Sequence, residues 1–182
     1  VELTFLDEDG QRDESTVVPL IVTSDEVMLQ RDELLKRIDE AVANGQALLD
    51  RWGELFPRLL LGQRAIDQIA QFNGREQWFK QILRHLRALD IAVLRWPIGE
   101  VFTPQGITYS VESTATLEHG DFGPMRDFPV PEGFMVERWS LHTKLTGGAG
   151  ARMYFRPERI ATGNAVLIGY VGAHLPTVNY RT

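Results

Sequence analysis

Apolar residues recur at helical spacing through the first half of the chain and at strand spacing through the second. Leu34, Ala41, Leu48 and Leu55 repeat every seven residues. So do Leu35, Val42, Leu49 and Phe56, and likewise Ile38, Gly45, Trp52 and Leu59. Three neighbouring rows make a wide apolar stripe, which predicts a packing helix over residues 24–56. Thr23 with Glu26 three residues on has capping-box spacing, and Asp25 and Glu26 suit the positive end of the helix dipole. The stripe is broader than a strict two-position seam, although a two-stranded coiled coil is compatible with it. Pro57 ends this helix or opens the next. Leu59–Phe72 continues the helical spacing, and Asn73-Gly74 is a stop signal. A third helix is predicted from about Arg75 to Leu94, burying Trp78, Ile82, Leu86, Leu89 and Val93. Its opposite side carries Lys80, Arg84 and Arg87 and reads as a solvated face.

Ahead of these helices, Val1–Leu6 has strand character, Asp7–Thr16 reads as a charged loop, and Val17–Val22 as an extended lead-in. After Trp96-Pro97 the texture is β throughout. Ile107–Leu117 alternates, His119–Gly133 is a loop rich in proline and glycine, and Val136–Leu145 alternates again. A linker, Thr146–Gly150, then leads into the short strand Arg152–Arg156 and the apolar strand Ala165–Leu175. Apolar residues on both sides of that last strand suit a central position, covered on both faces. The expected fold is α+β: a helical half of about three helices (1–96) packed on a mainly antiparallel sheet (97–182), in one folding unit.

The hairpin register can be read from the pattern. If Leu145 meets Ala151, then Lys144 pairs with Arg152, His142 with Tyr154 and Ser140 with Arg156. A slip of one residue would mix the two faces. One side then carries Trp139, Leu141, Thr143, Leu145, Met153 and Phe155. The other carries Arg138, His142, Lys144, Arg152, Tyr154 and Arg156, with Tyr170 or His174 nearby. Like charges opposite each other on a sheet cost stability. Lys144 against Arg152 therefore calls for an anion, either an internal carboxylate such as Glu112 or Glu137, or a phosphate from outside.

Composition narrows the classes. The chain of 182 residues has no cysteine, which removes disulfides and thiolate chemistry. No apolar run approaches the ~20 residues of a membrane span, so no membrane partner is expected. The start lacks the basic flank and apolar run of a secretory signal, and the absence of cysteine fits the cytoplasm. An initial Val suggests a trimmed start or a piece of a longer polypeptide. Residues 1–119 hold 12 basic against 20 acidic residues and residues 120–182 hold 7 against 5, which together give the net charge of −6. An acidic whole opposes non-specific nucleic-acid binding, but a local basic face survives it.

No nucleotide-binding, zinc-protease or nucleophile-elbow motif is present. His119, Asp121, His142 and His174 are metal-ligating types, but their spacing matches no ligand arrangement, so no metal and no cofactor are expected. The cationic face suits a different chemistry, metal-free RNA cleavage. This needs a base for the 2′-hydroxyl proton, cations on the crowded phosphate and an acid for the leaving oxygen. His142, Tyr154 and His174 have the residue types for proton transfer. Arg138, Lys144, Arg152 and Arg156 have those for phosphate.

The stretch ARMYFRP, a turn, then AVLIGYVGAHLP resembles the closing hairpin of the RelE-like toxin superfamily, over about the last 45 residues. Members are small ribosome-dependent mRNA endonucleases, or in a sister branch gyrase poisons, with helices against an antiparallel sheet. The resemblance implies that Arg152 and Lys144 bind phosphate and that Tyr154 or His174 moves the proton. This chain is longer and more acidic than such toxins. Three readings therefore stand: an RNA-directed domain, catalytic or binding; a non-enzymatic module contacting a partner, or itself, through helix 24–56; and a sheet face that is merely solvated.

Overall fold

A computed structural model describes residues 2–6, 12–17, 41–146, 150–161 and 163–179. Two compact units are resolved, Val1–Ala41 and Val42–Thr182. In the first, β1 (Glu2–Leu6) and β2 (Arg12–Val17) pair as an antiparallel hairpin. Residues 12–16, expected in a loop, are thus strand. Residues 18–40, which include most of Val17–Val22 and the first part of the helix expected over 24–56, lie outside the described residues.

In the second unit the expected helix is broken. Val42–Asn44 is not helical, and the Asn44 side chain caps the short helix α1 (Gly45–Asp50) by accepting from the Ala47 amide at 2.9 Å. Helix α2 (Trp52–Leu55) follows. Gly45 explains the break: its amide donates to the Phe72 carbonyl at 2.8 Å, and a Cβ there would lie 1.6 Å from the Ile69 carbonyl oxygen. No other residue fits so close to another helix.

Leu59–Leu61, expected to be helical, forms strand β3 and runs parallel to β7 (Gly163–Gly172). A short apolar run flanked by an anchored residue is ambiguous by periodicity alone. Here the anchor is Arg58, whose amide and guanidinium both bond Asp90, at 2.9 and 2.7 Å. Helix α3 (Gln63–Ala70) follows, and α4 (Phe79–Leu94) buries Ile82, Leu86, Leu89 and Val93 as expected. It starts later than expected, because the Glu76 carboxylate accepts from the Asn73 and Gly74 amides and holds a turn. Among the described residues no helix is long and apolar enough to cross a membrane.

The α+β class stands, with a five-stranded mixed sheet in the order β3-β7-β6-β5-β4. Strand β6 is Arg152–Ile160, β5 is Leu141–Lys144 and β4 is Tyr109–Val111. The alternation of Ile107–Leu117 gives only the short β4, after which Ser113 caps helix α5 (Thr114–Glu118) through the Thr116 amide. Two cores occupy the two sides of the sheet. Met153, Phe155, Val166 and Ile168 pack with α1, α3 and α4, while Tyr154, Leu167 and Tyr170 pack with Phe128, Trp139 and Leu175. Beyond β5, the outer edge of β6 has no strand partner among the described residues. Val166 turns its amide toward Arg58, so Pro157 opposite it points its donor-less nitrogen along that edge.

His85 on α4 joins helix to sheet through Thr143, Nδ1 to Oγ1 at 3.0 Å. Burial lowers its pKa to about 4. The unfolded chain therefore takes up a proton that the folded one refuses, and stability falls as pH drops from ~6.5 toward that value. Urea melts across this range should show the decline, reduced in His85→Gln.

Candidate functional site

The β5–β6 hairpin has the register that the alternation predicts. The Leu145 amide donates to the Ala151 carbonyl at 2.9 Å, Lys144 pairs with Arg152 and His142 with Tyr154. Ser140 and Arg156 do not pair, because β5 begins only at Leu141. Nor does the alternation reach back to Trp139. The Trp139 amide bonds the Arg126 carbonyl and the Ser140 carbonyl bonds the Glu112 amide, so this stretch follows the covering segment instead. Trp139 accordingly lies on the side of Tyr154, opposite Phe155. Phe128 packs edge-on against both Trp139 and Tyr154. Gly169 permits this, since a Cβ there would meet both the Phe128 and Trp139 rings at 2.9 Å.

The face expected to be open and cationic is therefore covered by residues 112–139 and the C-terminal tail. Beneath the cover Glu112 is the hub. Its Oε2 lies 2.8 Å from Arg126 Nε, an ionic contact off the hydrogen-bond line. Its Oε1 accepts the Tyr154 hydroxyl at 3.3 Å and stands 3.6 Å from His142 Nδ1. Arg126 is 0 % exposed and donates to the carbonyls of Phe122 and Pro176, tying the cover and the tail to the sheet. Neither Glu112 nor Arg126 emerges as a site residue from sequence spacing. Glu112 does enter there as a candidate counter-charge, and the charge imbalance of the hairpin is the signal that points to it.

Burial pushes the Tyr154 phenol well above its ordinary range, and the Glu112 charge pushes it further. It is a hydrogen-bond donor to a carboxylate and stays protonated at neutral pH. Tyr154→Phe should cost about 1–2 kcal/mol of stability, by leaving a buried carboxylate short of a donor. A urea denaturation curve measures this directly. Burial also lowers His142, with Glu112 opposing, and lowers His174, where Arg152 adds to the effect.

The remaining predicted residues divide into two groups. Lys144 is exposed and Arg152 half-buried, and no carboxylate among the described residues pairs with either. Arg152 Nη1 donates only to the carbonyls of Gly150 and Ala151, at 2.6 and 3.1 Å, and its buried Nε has no partner. Gly150, at φ +66°, brings the hairpin turn beside the tail, its Cβ position 3.7 Å from the His174 Cβ. Lys144, Arg152, His142 and His174 thus gather at one end of the sheet.

Arg138 and Arg156 lie elsewhere and carry their own counter-ions. Arg138 forms a two-pronged pair with Asp127, at 2.9 and 3.0 Å. Arg156 pairs with Glu158, donates to the Met135 carbonyl and lies 5.2 Å over the Trp139 ring. It lines a groove of about 470 Å³ with Arg159, Glu132, Glu137 and Glu158, a mixed lining in which the carboxylates outnumber the cations. Tyr170 is buried, its hydroxyl on the Ala173 carbonyl and the Arg64 guanidinium 4.8 Å from its ring. His119 stacks on Phe122 and accepts from the Asp121 amide, forming a local turn. Among the described residues no three metal-ligating side chains converge.

No family model, curated protein or solved structure matches this chain.

Proposed function

We propose that the chain is an RNA-directed domain that holds backbone phosphate at the sheet end formed by Lys144, Arg152 and His174. The observation that supports this is the pair of facing cations, Lys144 and Arg152, without a carboxylate partner among the described residues. The fold supplies Glu112 to Arg126, Asp127 to Arg138 and Glu158 to Arg156. Arg152 feels the Glu112 charge without an ion-pair contact to it, so an external anion would complete the pairing. The same end has groups suited to metal-independent cleavage. His174, held neutral by burial, would take the 2′-hydroxyl proton as that oxygen attacks the adjacent phosphorus. Arg152 and Lys144 would steady the added charge as the O2′–P bond forms and the P–O5′ bond breaks, leaving a 2′,3′-cyclic phosphate and a 5′-oxygen that takes its proton from water. Tyr154, buried and bonded to Glu112, is less suited to proton transfer than His174.

Titration of the wild-type chain against single-stranded RNA at about 50 and 200 mM salt tests the reading. Binding at the lower salt that weakens steeply at the higher is expected. Absence of binding at low salt would remove the proposal.

A second reading, a non-enzymatic interaction module, finds its support away from the expected helix. In the described end of residues 24–56, Leu48 and Phe56 are buried in the unit's own core. Exposed apolar residues lie elsewhere, among them Leu94, Ile98 and Val101, at 64, 94 and 86 %. Concentration-dependent self-association lost in Ile98→Asp would favour this module.

A further inference from the structure

Behind the phosphate-facing cations lie two buried groups that the binding reading does not use, His142 and Glu112. His142 Nδ1 has only acceptors beside it, the Ser140 carbonyl at 3.3 Å and Glu112 Oε1 at 3.6 Å. The neutral ring therefore carries its proton on Nδ1 and keeps a lone pair on Nε2. The charged and titratable groups around it come from every neighbouring element. Lys144 lies on its own strand, Arg152 and Tyr154 on β6, and Glu112 just beyond β4. Arg126 of the covering segment holds the same carboxylate, and His174 of the tail lies beside Arg152.

In the free protein, burial and the two cations oppose a charge on His142, while Glu112 and the Ser140 carbonyl favour it. An anion placed on Lys144 and Arg152 cancels the cationic opposition and leaves the carboxylate attraction intact. We propose that a phosphate-type oxyanion binding at Lys144 and Arg152 makes His142 take up a proton, with Glu112 as the positioning residue that receives the imidazolium. This rests on the phosphate reading above. It adds that binding is proton-coupled. The free ring protonates below its ordinary value of ~6.5, and the bound ring protonates at a higher pH than the free one. Between those two midpoints only the complex holds the proton, so affinity tightens as pH falls through that window and is flat on either side.

The experiment is a pH titration of imidazole ¹⁵N signals in the full chain, with and without a non-cleavable 2′-O-methyl oligouridylate. The His142 midpoint should rise by at least half a unit when the oligonucleotide binds. RNA affinity should then tighten about threefold across the window. Lys144→Ala, at an exposed position, should raise the midpoint of the free protein by removing one opposing cation. Binding of the oligonucleotide with an unmoved His142 midpoint would overturn the coupling while sparing the phosphate site. An unmoved midpoint in free Lys144→Ala would overturn it as well. Failure of the oligonucleotide to bind at any pH would remove the phosphate reading and this inference together.

Discussion

Arg126→Ala should unfold the Val42–Thr182 unit or bring it close to unfolding. Arg126 is fully buried against Glu112, itself 9 % exposed. Removing one partner of a buried ion pair costs ~3–5 kcal/mol, because the other charge is left uncompensated. That is a large share of the ~5–15 kcal/mol by which domains are stable. The same change frees the carbonyls of Phe122 and Pro176, so the covering segment and the tail lose their shared anchor. Replacing both charges, as Glu112→Gln with Arg126→Met, should recover part of the loss, since no lone buried charge remains. Urea melts of the three variants measure it. An Arg126→Ala midpoint within about 1 kcal/mol of wild type would show that the cover is held by its apolar contacts alone.

This network also marks where the sequence becomes hard to read. The hairpin was legible because a period of two leaves one register that separates Met153 and Phe155 from Tyr154 and Arg152. Helix α4 was legible because sixteen residues of consistent helical spacing outweigh any local ambiguity. The three apolar residues of β3 carry no such weight. Their strand state follows from Asp90 holding Arg58, a contact across 32 residues. Helix α5 had a signal, Ser113 before Thr116, but the alternation on either side masked it. The rest of the covering segment had none. It is irregular and proline-rich, and its packing depends on Phe128 reaching Trp139 and Tyr154 across the sheet. A pattern of polar residues on one side of a strand reads as a solvated face, and only the tertiary structure reveals that another segment buries it.

For the candidate site the same distinction applies. The gathering of Lys144, Arg152, His142 and His174 follows from register and strand ends, both local properties. The separation of Arg138 and Arg156 from that group depends on Asp127 and Glu158, whose pairing no spacing rule announces.

Replacing both Lys144 and Arg152 with Ala should reduce RNA binding sharply at low salt while leaving the fold nearly intact. Lys144 is exposed, and Arg152 bonds only backbone carbonyls of its own turn, so neither change strands a buried partner. The loss of affinity should be shared by RNAs of different sequence, as expected for contacts to phosphate. His174→Ala should act differently, slowing cleavage more than it weakens binding.

The most direct measurement of the central claim is the salt dependence of RNA affinity in wild type and in the double variant. Each phosphate contact on a single strand contributes ~0.7 to the log–log slope, so losing two should flatten it by roughly 1.4. A double variant that binds RNA with the affinity and slope of the wild type would place any RNA contacts elsewhere on the molecule.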